Sequence, residues 1–191
     1  MIPGSDKPEH FLKLYDQFFM PLRDHPVRLL ELGIASTGSL FYWADYFPMG
    51  EIVGLDWATY SIDHPRIRTI AGDQSDPGAL DRCGDSFDII IDDCAHIALA
   101  AKASFDRLFP KVVPGGLYAI EDWGTGYWAD WDDGAAFKPG HSSGMVGMVK
   151  DLLDRMSVNT ITRGTFYGQS DEQSDIDSLA IVEGLVIVVK S

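Results

Sequence analysis

Five short apolar runs, each closing on or leading into an acidic residue and separated by segments of helical spacing, constrain this chain more than any other feature. The runs are Val27-Arg28-Leu29-Leu30-Glu31-Leu32-Gly33, Glu51-Ile52-Val53-Gly54-Leu55-Asp56, Ile67-Arg68-Thr69-Ile70 leading into Gly72-Asp73, Phe87-Asp88-Ile89-Ile90-Ile91-Asp92-Asp93, and Gly116-Leu117-Tyr118-Ala119-Ile120-Glu121-Asp122. Continuous apolar runs are the pattern of strands covered on both faces, and strands alternating with helices predict a largely parallel sheet. The helical segments are residues 9–20, 39–47, 98–109 and 145–156, of which the first carries Phe11, Leu12, Leu14, Tyr15, Phe18 and Phe19 at spacings of three and four. Residues 179–182 and 185–190 flank Glu183-Gly184 and predict a closing hairpin. The expected fold class is α/β, a mostly parallel seven-stranded sheet flanked by helices. We expect one domain over residues 1–191, with a helical N-terminal segment over 1–26 and a polar loop over 169–177.

Composition sets the outer limits. The 191 residues suffice for one sizeable core, and 46% apolar with 23% charged residues is a globular balance. Against 29 acids stand 15 bases, a formal net charge of −14. Such a surface repels phosphate backbones, so neither nucleic acid nor an anionic membrane is an expected partner. No apolar run approaches the roughly 18–20 residues that span a bilayer, and the first residues do not read as a signal peptide. Cys83 and Cys94 lack the paired spacing of a zinc site and suit reduced packing residues, so the expected location is the cytoplasm.

Acids at so many strand ends are hard to explain by stability, because clustered carboxylates repel unless a cation or a donor accompanies them. Ligands of open α/β sheets sit beyond those ends, near the point where strand order reverses. The first turn, Glu31-Leu32-Gly33-Ile34-Ala35-Ser36-Thr37-Gly38-Ser39, is neither the dinucleotide fingerprint nor a P-loop, and it carries no base to meet a phosphate. With Asp56 as an acid for ribose hydroxyls and Asp73 following the third strand, it suits a nucleoside cofactor without phosphates, for which S-adenosylmethionine is the candidate. The plain alternative is a structural turn and a surface acid.

A second group follows the fourth and fifth strands. Asp93, Glu121 and Asp122 offer hard oxygen donors suited to Mg²⁺, which can bind two substrate oxygens and lower the pKa of one hydroxyl. His96 stands beside them as a general base; otherwise it is a capping or core histidine. Residues 123–143, rich in Gly, Asp and Trp, predict a substrate or lid loop, with Trp123, Tyr127 and Trp128 as candidate walls for a ring-shaped substrate. Asp130, Asp132 and Asp133 read as solvated.

These residues resemble a known family. The run from Pro21 to Gly33 resembles the entry to the catalytic domain of macrocin-type sugar O-methyltransferases. So do Gly38-Ser39-Leu40 with Trp43 and Tyr46-Phe47-Pro48, Gly54-Leu55-Asp56, and Gly72-Asp73-Gln74-Ser75-Asp76. The most specific pieces are Ile91-Asp92-Asp93-Cys94-Ala95-His96 and Pro114-Gly115-Gly116-Leu117-Tyr118-Ala119-Ile120-Glu121-Asp122, followed by Thr125 and Tyr127-Trp128. The resemblance covers roughly residues 10–155 and the hairpin. It implies a Rossmann-like class I methyltransferase that uses S-adenosylmethionine and Mg²⁺ on a small-molecule hydroxyl, with the sugar of a glycosylated antibiotic-type natural product as acceptor. It places the metal on Asp93, Glu121 and Asp122, the base on His96, and the cofactor on Glu31, Gly33, Ser39, Asp56, Asp73 and Asp92.

Two departures stand out. Cys94-Ala95 replaces the family's Gly-Ser between the metal Asp and the His, and the large N-terminal region of the macrolide enzymes has no counterpart here. A homo-oligomer is compatible with the resemblance. The alternatives are a metal-independent methyltransferase and a non-catalytic S-adenosylmethionine-binding protein; a nicotinamide oxidoreductase is disfavoured by the first turn.

Overall fold

The computed structural model describes residues 7–157 and 174–191. Its elements are α1 (Glu9–Phe19), β1 (Arg28–Leu32), α2 (Gly38–Tyr46), β2 (Glu51–Asp56), β3 (Ile67–Ala71), α3 (Pro77–Cys83), β4 (Phe87–Asp92), α4 (Ala98–Leu108), β5 (Val112–Glu121), α5 (Gly144–Met156), β6 (Ile176–Val182) and β7 (Leu185–Lys190). Short 3-10 turns lie at Met20–Leu22, Phe109–Lys111 and Trp123–Tyr127. The seven strands form one sheet in the order β3-β2-β1-β4-β5-β7-β6. The β1–β2, β2–β3, β1–β4 and β4–β5 pairs are parallel, whereas β7 runs antiparallel to both β5 and β6. The sheet is therefore mostly parallel, and its strand order reverses between β1 and β4.

Three sequence expectations shift. Helix α3 was not anticipated, although Asp76-Pro77 announces it: Pro77 opens the helix, and the Asp76 carboxylate accepts from the Gly78 and Ala79 amides. Strand β5 begins at Val112 rather than Gly116, and β6 begins at Ile176, inside the segment expected as a polar loop. Residues 169–173 of that loop, and residues 1–6 of the expected N-terminal segment, lie outside the described residues.

Side-chain alternation along the strands builds two apolar layers. Leu29, Ile89, Ile91, Leu117 and Ala119 face α1 and α2, where Phe11, Tyr15 and Phe19 line up on one side of α1 against Trp43 of α2. Leu30, Leu32, Ile90, Tyr118 and Ile120 face the opposite layer, with Leu80 of α3, Phe105 and Leu108 of α4 and Val149 of α5. Phe19 and Trp43 are both fully buried, and each such side chain contributes about 1.5–3 kcal/mol through burial. This two-sided cover is why the central strands are mostly apolar, with Glu31 of β1 a buried exception.

Candidate active site

Alternation also sorts the acids. Leu32 of β1 pairs with Asp92 of β4, and Asp92 pairs with Ile120 of β5. The first acid of each doublet, Asp92 and Glu121, is therefore still in its strand, and the two point to opposite faces. Asp92 faces α4. It accepts from Ser104 Oγ at 2.7 Å, Gln74 Nε2 at 3.0 Å and Tyr118 Oη at 3.2 Å. Burial pushes its carboxyl up to about 6, while Ser104, Gln74 and Tyr118 pull it back. Glu121 faces α1, where its Oε1 accepts from Tyr15 Oη and Lys7 Nζ, each at 2.7 Å.

The second acids, Asp93 and Asp122, lie past the strand ends and meet His96. His96 Nε2 stands 3.7 Å from Asp93 Oδ1 and 3.7 Å from Asp122 Oδ2. One ligand atom from each of these residues lies within 4.8 Å of the others, and the donor set suits a hard divalent cation. Glu121 is not one of these three, but its Oε1 and Asp93 Oδ2 both stand 2.7 Å from Lys7 Nζ, so the ammonium joins it to the same cluster. Burial raises the Asp122 carboxyl, and His96 opposes the rise. His96 (φ 50°) and Asp122 (φ 51°) both occupy the left-handed region, a conformation that costs side-chain-bearing residues of order 1–2 kcal/mol.

The surroundings hold that geometry. The His96 carbonyl accepts from Thr125 Oγ1 and Trp131 Nε1, each at 3.0 Å. Asp133 caps α4 by accepting from the Ala98 amide at 2.6 Å. Residues 123–134 thus brace the histidine, and Asp133, expected as a solvated acid, is part of the brace.

The turn after β1 packs directly on this loop. Gly33 has φ +90°, and a β-carbon there would stand 2.0 Å from the Asp93 carbonyl oxygen. Glu31, fully buried, accepts from Ser39 Oγ at 2.7 Å and from Trp43 Nε1 at 3.4 Å. Asp56, only 5% exposed, accepts from the Ile34 amide at 2.8 Å and the Ala58 amide at 2.9 Å. Glu31, Ser39 and Asp56 therefore shape the turn from within. Asp73 is solvent-facing and accepts from the Ser75 amide and hydroxyl.

Two cavities open near the group of Asp93, His96 and Asp122, one lined by Ala95 and Ile97, the chain neighbours of His96, and the other by Asp122. The larger, about 450 Å³, is lined by Trp57, Gly72, Asp73, Gln74, Ser75, Cys94, Ala95, Ile97 and Ala100. No base lines it, and the indole of Trp57 is 88% exposed at its edge, so its chemistry fits an uncharged ring and a cationic group better than a phosphate. The smaller, about 260 Å³, is lined by Pro8, His10, Phe11, Asp122, Gly124, Thr125, Trp128, Glu183 and Gly184. Of the three aromatics singled out in the sequence, Trp128 lines this cavity. Trp123 instead donates to the Val182 carbonyl at 2.9 Å, and Tyr127 packs against Trp123, Phe137 and His141.

Sequence reasoning missed Lys7, Tyr15, Gln74 and Ser104. Gln74 ties three pieces together, since its Oε1 also accepts from the Ala95 amide at 2.7 Å. For Tyr15 and Ser104 the available signal was a polar group at a position that the helical period assigns to the interior; Gln74, in the turn before α3, offered none. Lys7 carried no such signal, because it precedes the first regular element.

The arrangement can hold a cationic small molecule beside a divalent-ion site and a histidine base. No protein-family model matches the chain. It is 44% identical, over 75% of its length, to mycinamicin VI 2''-O-methyltransferase of Micromonospora griseorubida, covering 39% of that protein. It is 42% identical, over 76% of its length, to demethylmacrocin O-methyltransferase of Streptomyces fradiae, covering 40% of it. Among solved structures, it is similar to the MycE methyltransferase of the mycinamycin biosynthetic pathway in complex with Mg, SAH and mycinamycin VI. That similarity has a TM-score of 0.83 at 37% identity and spans 98% of this chain and 50% of that one. The chain thus spans two-fifths to one half of the length of these proteins.

Proposed function

Because the chain is a relative of the macrocin-type sugar O-methyltransferases, and carries their Rossmann-like methyltransferase fold, we propose that it transfers a methyl group from S-adenosylmethionine to a hydroxyl of a small molecule, with Mg²⁺. The acceptor in this reading is a sugar of a glycosylated natural product. The observation that carries the reading is His96 within 3.7 Å of both Asp93 and Asp122, with a cavity lined by its chain neighbours Ala95 and Ile97 and another lined by Asp122.

In this proposal the larger cavity receives the cofactor, with Gly33 and Asp73 at its approach and Glu31, Ser39, Asp56 and Asp92 holding its walls from behind. Asp93 and Asp122 would hold the ion. Bound, the two groups supply an electrophilic methyl and Lewis-acid polarisation of the acceptor hydroxyl. The chain supplies the rest. His96 Nε2 takes the hydroxyl proton, and the flanking carboxylates stabilise the imidazolium that results. The brace from Thr125 and Trp131 to the His96 carbonyl fixes the backbone that carries the ring, and in this proposal Trp128 and the start of α1 enclose the acceptor in the second cavity. Holding the reacting groups in one geometry is the main source of acceleration. Neither nucleic acid nor a membrane is a partner in this reading, and among the described residues no helix is long and apolar enough to cross a membrane.

Labelled S-adenosylmethionine incubated with the chain and glycosylated acceptors tests the proposal. Label is expected in the acceptor, abolished by EDTA and restored by Mg²⁺. Full turnover in EDTA would remove the ion from the reaction, and no cofactor binding by calorimetry would sink the assignment.

A further inference from the structure

The smaller cavity lies where the β6–β7 hairpin meets the start of α1 and the end of β5. Glu183 is at the tip of that hairpin, and both of its chain neighbours are fixed. The Asp122 amide donates to the Gly184 carbonyl at 2.6 Å, and Trp123 Nε1 donates to the Val182 carbonyl at 2.9 Å. Gly184 has φ +76° and lies so close to α1 that a β-carbon on it would stand 2.7 Å from Phe11 Cζ. The turn therefore delivers Glu183 to the cavity wall from a fixed backbone. Trp128, 53% exposed, offers the same cavity an apolar face, and the His10 ring, edge-on to Phe11 at 4.6 Å, offers it a hydrogen-bonding group. Among the described residues, no lysine or arginine lines it.

Size and charge both narrow what can enter. Pockets that bury a whole drug-sized molecule run to roughly 300–1,000 Å³. This one holds about 260 Å³, so it takes one ring and leaves the rest of a larger acceptor outside. An aromatic face with a few polar groups at its rim suits a hydroxylated ring, whose C–H face packs on the indole while its hydroxyls find partners. With Asp122 given to the ion, Glu183 is the carboxylate left to meet that ring. A carboxylate accepts from a hydroxyl, pairs more strongly with an ammonium, and repels another carboxylate. We propose that Glu183 is a specificity-determining residue of the acceptor site: it admits a single sugar ring in the order amino, neutral, anionic, while Trp128 and His10 hold the ring against it. This rests on the methyltransferase reading above and adds to it the charge class of the acceptor.

Matched methyl hexopyranosides of gluco and galacto configuration test this: the 6-amino-6-deoxy sugar, the neutral sugar and the uronide, which differ at C6 alone. Binding to the whole chain with Mg²⁺ and S-adenosylhomocysteine is read by saturation-transfer difference NMR at low salt. In at least one configuration the amino sugar is expected to bind about tenfold or more tightly than the uronide, with the neutral sugar between them. Glu183→Gln is expected to bring that ratio within about threefold, as salt at about 1 M does for the parent. Glu183 is exposed, so this variant removes the charge without disturbing the core. Trp128→Ala is expected to weaken all three sugars alike and leave the ratio in place. Equal affinities for amino sugar and uronide in the parent, or a ratio that Glu183→Gln leaves unchanged, overturn the role of Glu183. If no sugar binds to a chain that still binds S-adenosylhomocysteine in calorimetry, the one-ring subsite is overturned and the cofactor assignment stands. A chain that binds no S-adenosylhomocysteine overturns the methyltransferase reading and this one with it.

Discussion

Gly33 and the carbonyl of Asp93 are in such close register that no other residue fits between them: a β-carbon on Gly33 would stand 2.0 Å from that oxygen. The contact welds the turn after β1 to the loop after β4. Backbone hydrogen bonds from Gly33 to Leu55 and from Asp93 to Leu32 run alongside it, at 2.8 and 2.9 Å. The turn after β1 and the loop after β4 are consequently one packed unit at the reversal of strand order.

Gly33→Ala is therefore expected to damage the fold and the proposed cofactor binding together. The positive φ alone costs about 1–2 kcal/mol with a side chain, and the clash with Asp93 adds to it. Chemical denaturation should show the lost stability, and calorimetry should show weakened S-adenosylmethionine binding. Unchanged cofactor affinity in the folded variant would argue that the turn does not touch the cofactor.

His96→Ala removes the proposed base but leaves the larger cavity intact. A drop of about 10²–10⁴-fold in kcat is expected, with cofactor affinity preserved. Steady-state kinetics and calorimetry on the same preparation check the split. Retained turnover would return His96 to a structural role.

Ser104 is fully buried and donates to Asp92 Oδ2 at 2.7 Å. Ser104→Ala leaves a buried carboxylate short of one donor, which costs about 1–3 kcal/mol. A lower urea midpoint with unchanged Mn²⁺ affinity is the expected result, since Asp92 faces α4 and not the ion site. A change in Mn²⁺ affinity would show that the two faces are coupled.

Asp81 joins α3 to α4, accepting from Arg107 Nε at 2.8 Å and Lys111 Nζ at 3.0 Å. These partners hold its carboxyl down at about 2. The folded pKa lies below the unfolded one, so the pairing stabilises above about pH 4 and is lost as pH falls from about 4 to about 2. Asp81→Asn should melt earlier than the parent at pH 6, and the difference should shrink toward zero near pH 2. A difference that persists at pH 2 would mean the charge is not its cause. The surface position keeps the effect small.

Much of this was legible in the chain itself. Five apolar runs ending in acids specified a parallel sheet with its chemistry at one edge, because burial on both faces and exposure at the tip each leave a residue pattern. The motifs around Asp93-Cys94-Ala95-His96 and Glu121-Asp122 pointed to the relatives that the comparisons found. What the sequence could not assign was the direction of each acid. In Asp92-Asp93 and Glu121-Asp122, neighbouring carboxylates of similar chemistry go to different places, because strand alternation and the β4–β5 register send Asp92 to α4, Glu121 to α1, and Asp93 with Asp122 past the sheet to His96. Lys7 was further from reach. It meets Glu121, 114 residues away in the chain, and no local period records a pairing that only the closed tertiary structure brings to hydrogen-bonding distance. Residue types along the chain determined the fold class and the kind of chemistry. Three-dimensional closure decided which carboxylates meet the histidine, since Coulomb attraction and hydrogen bonding act over a few ångströms and not along the sequence.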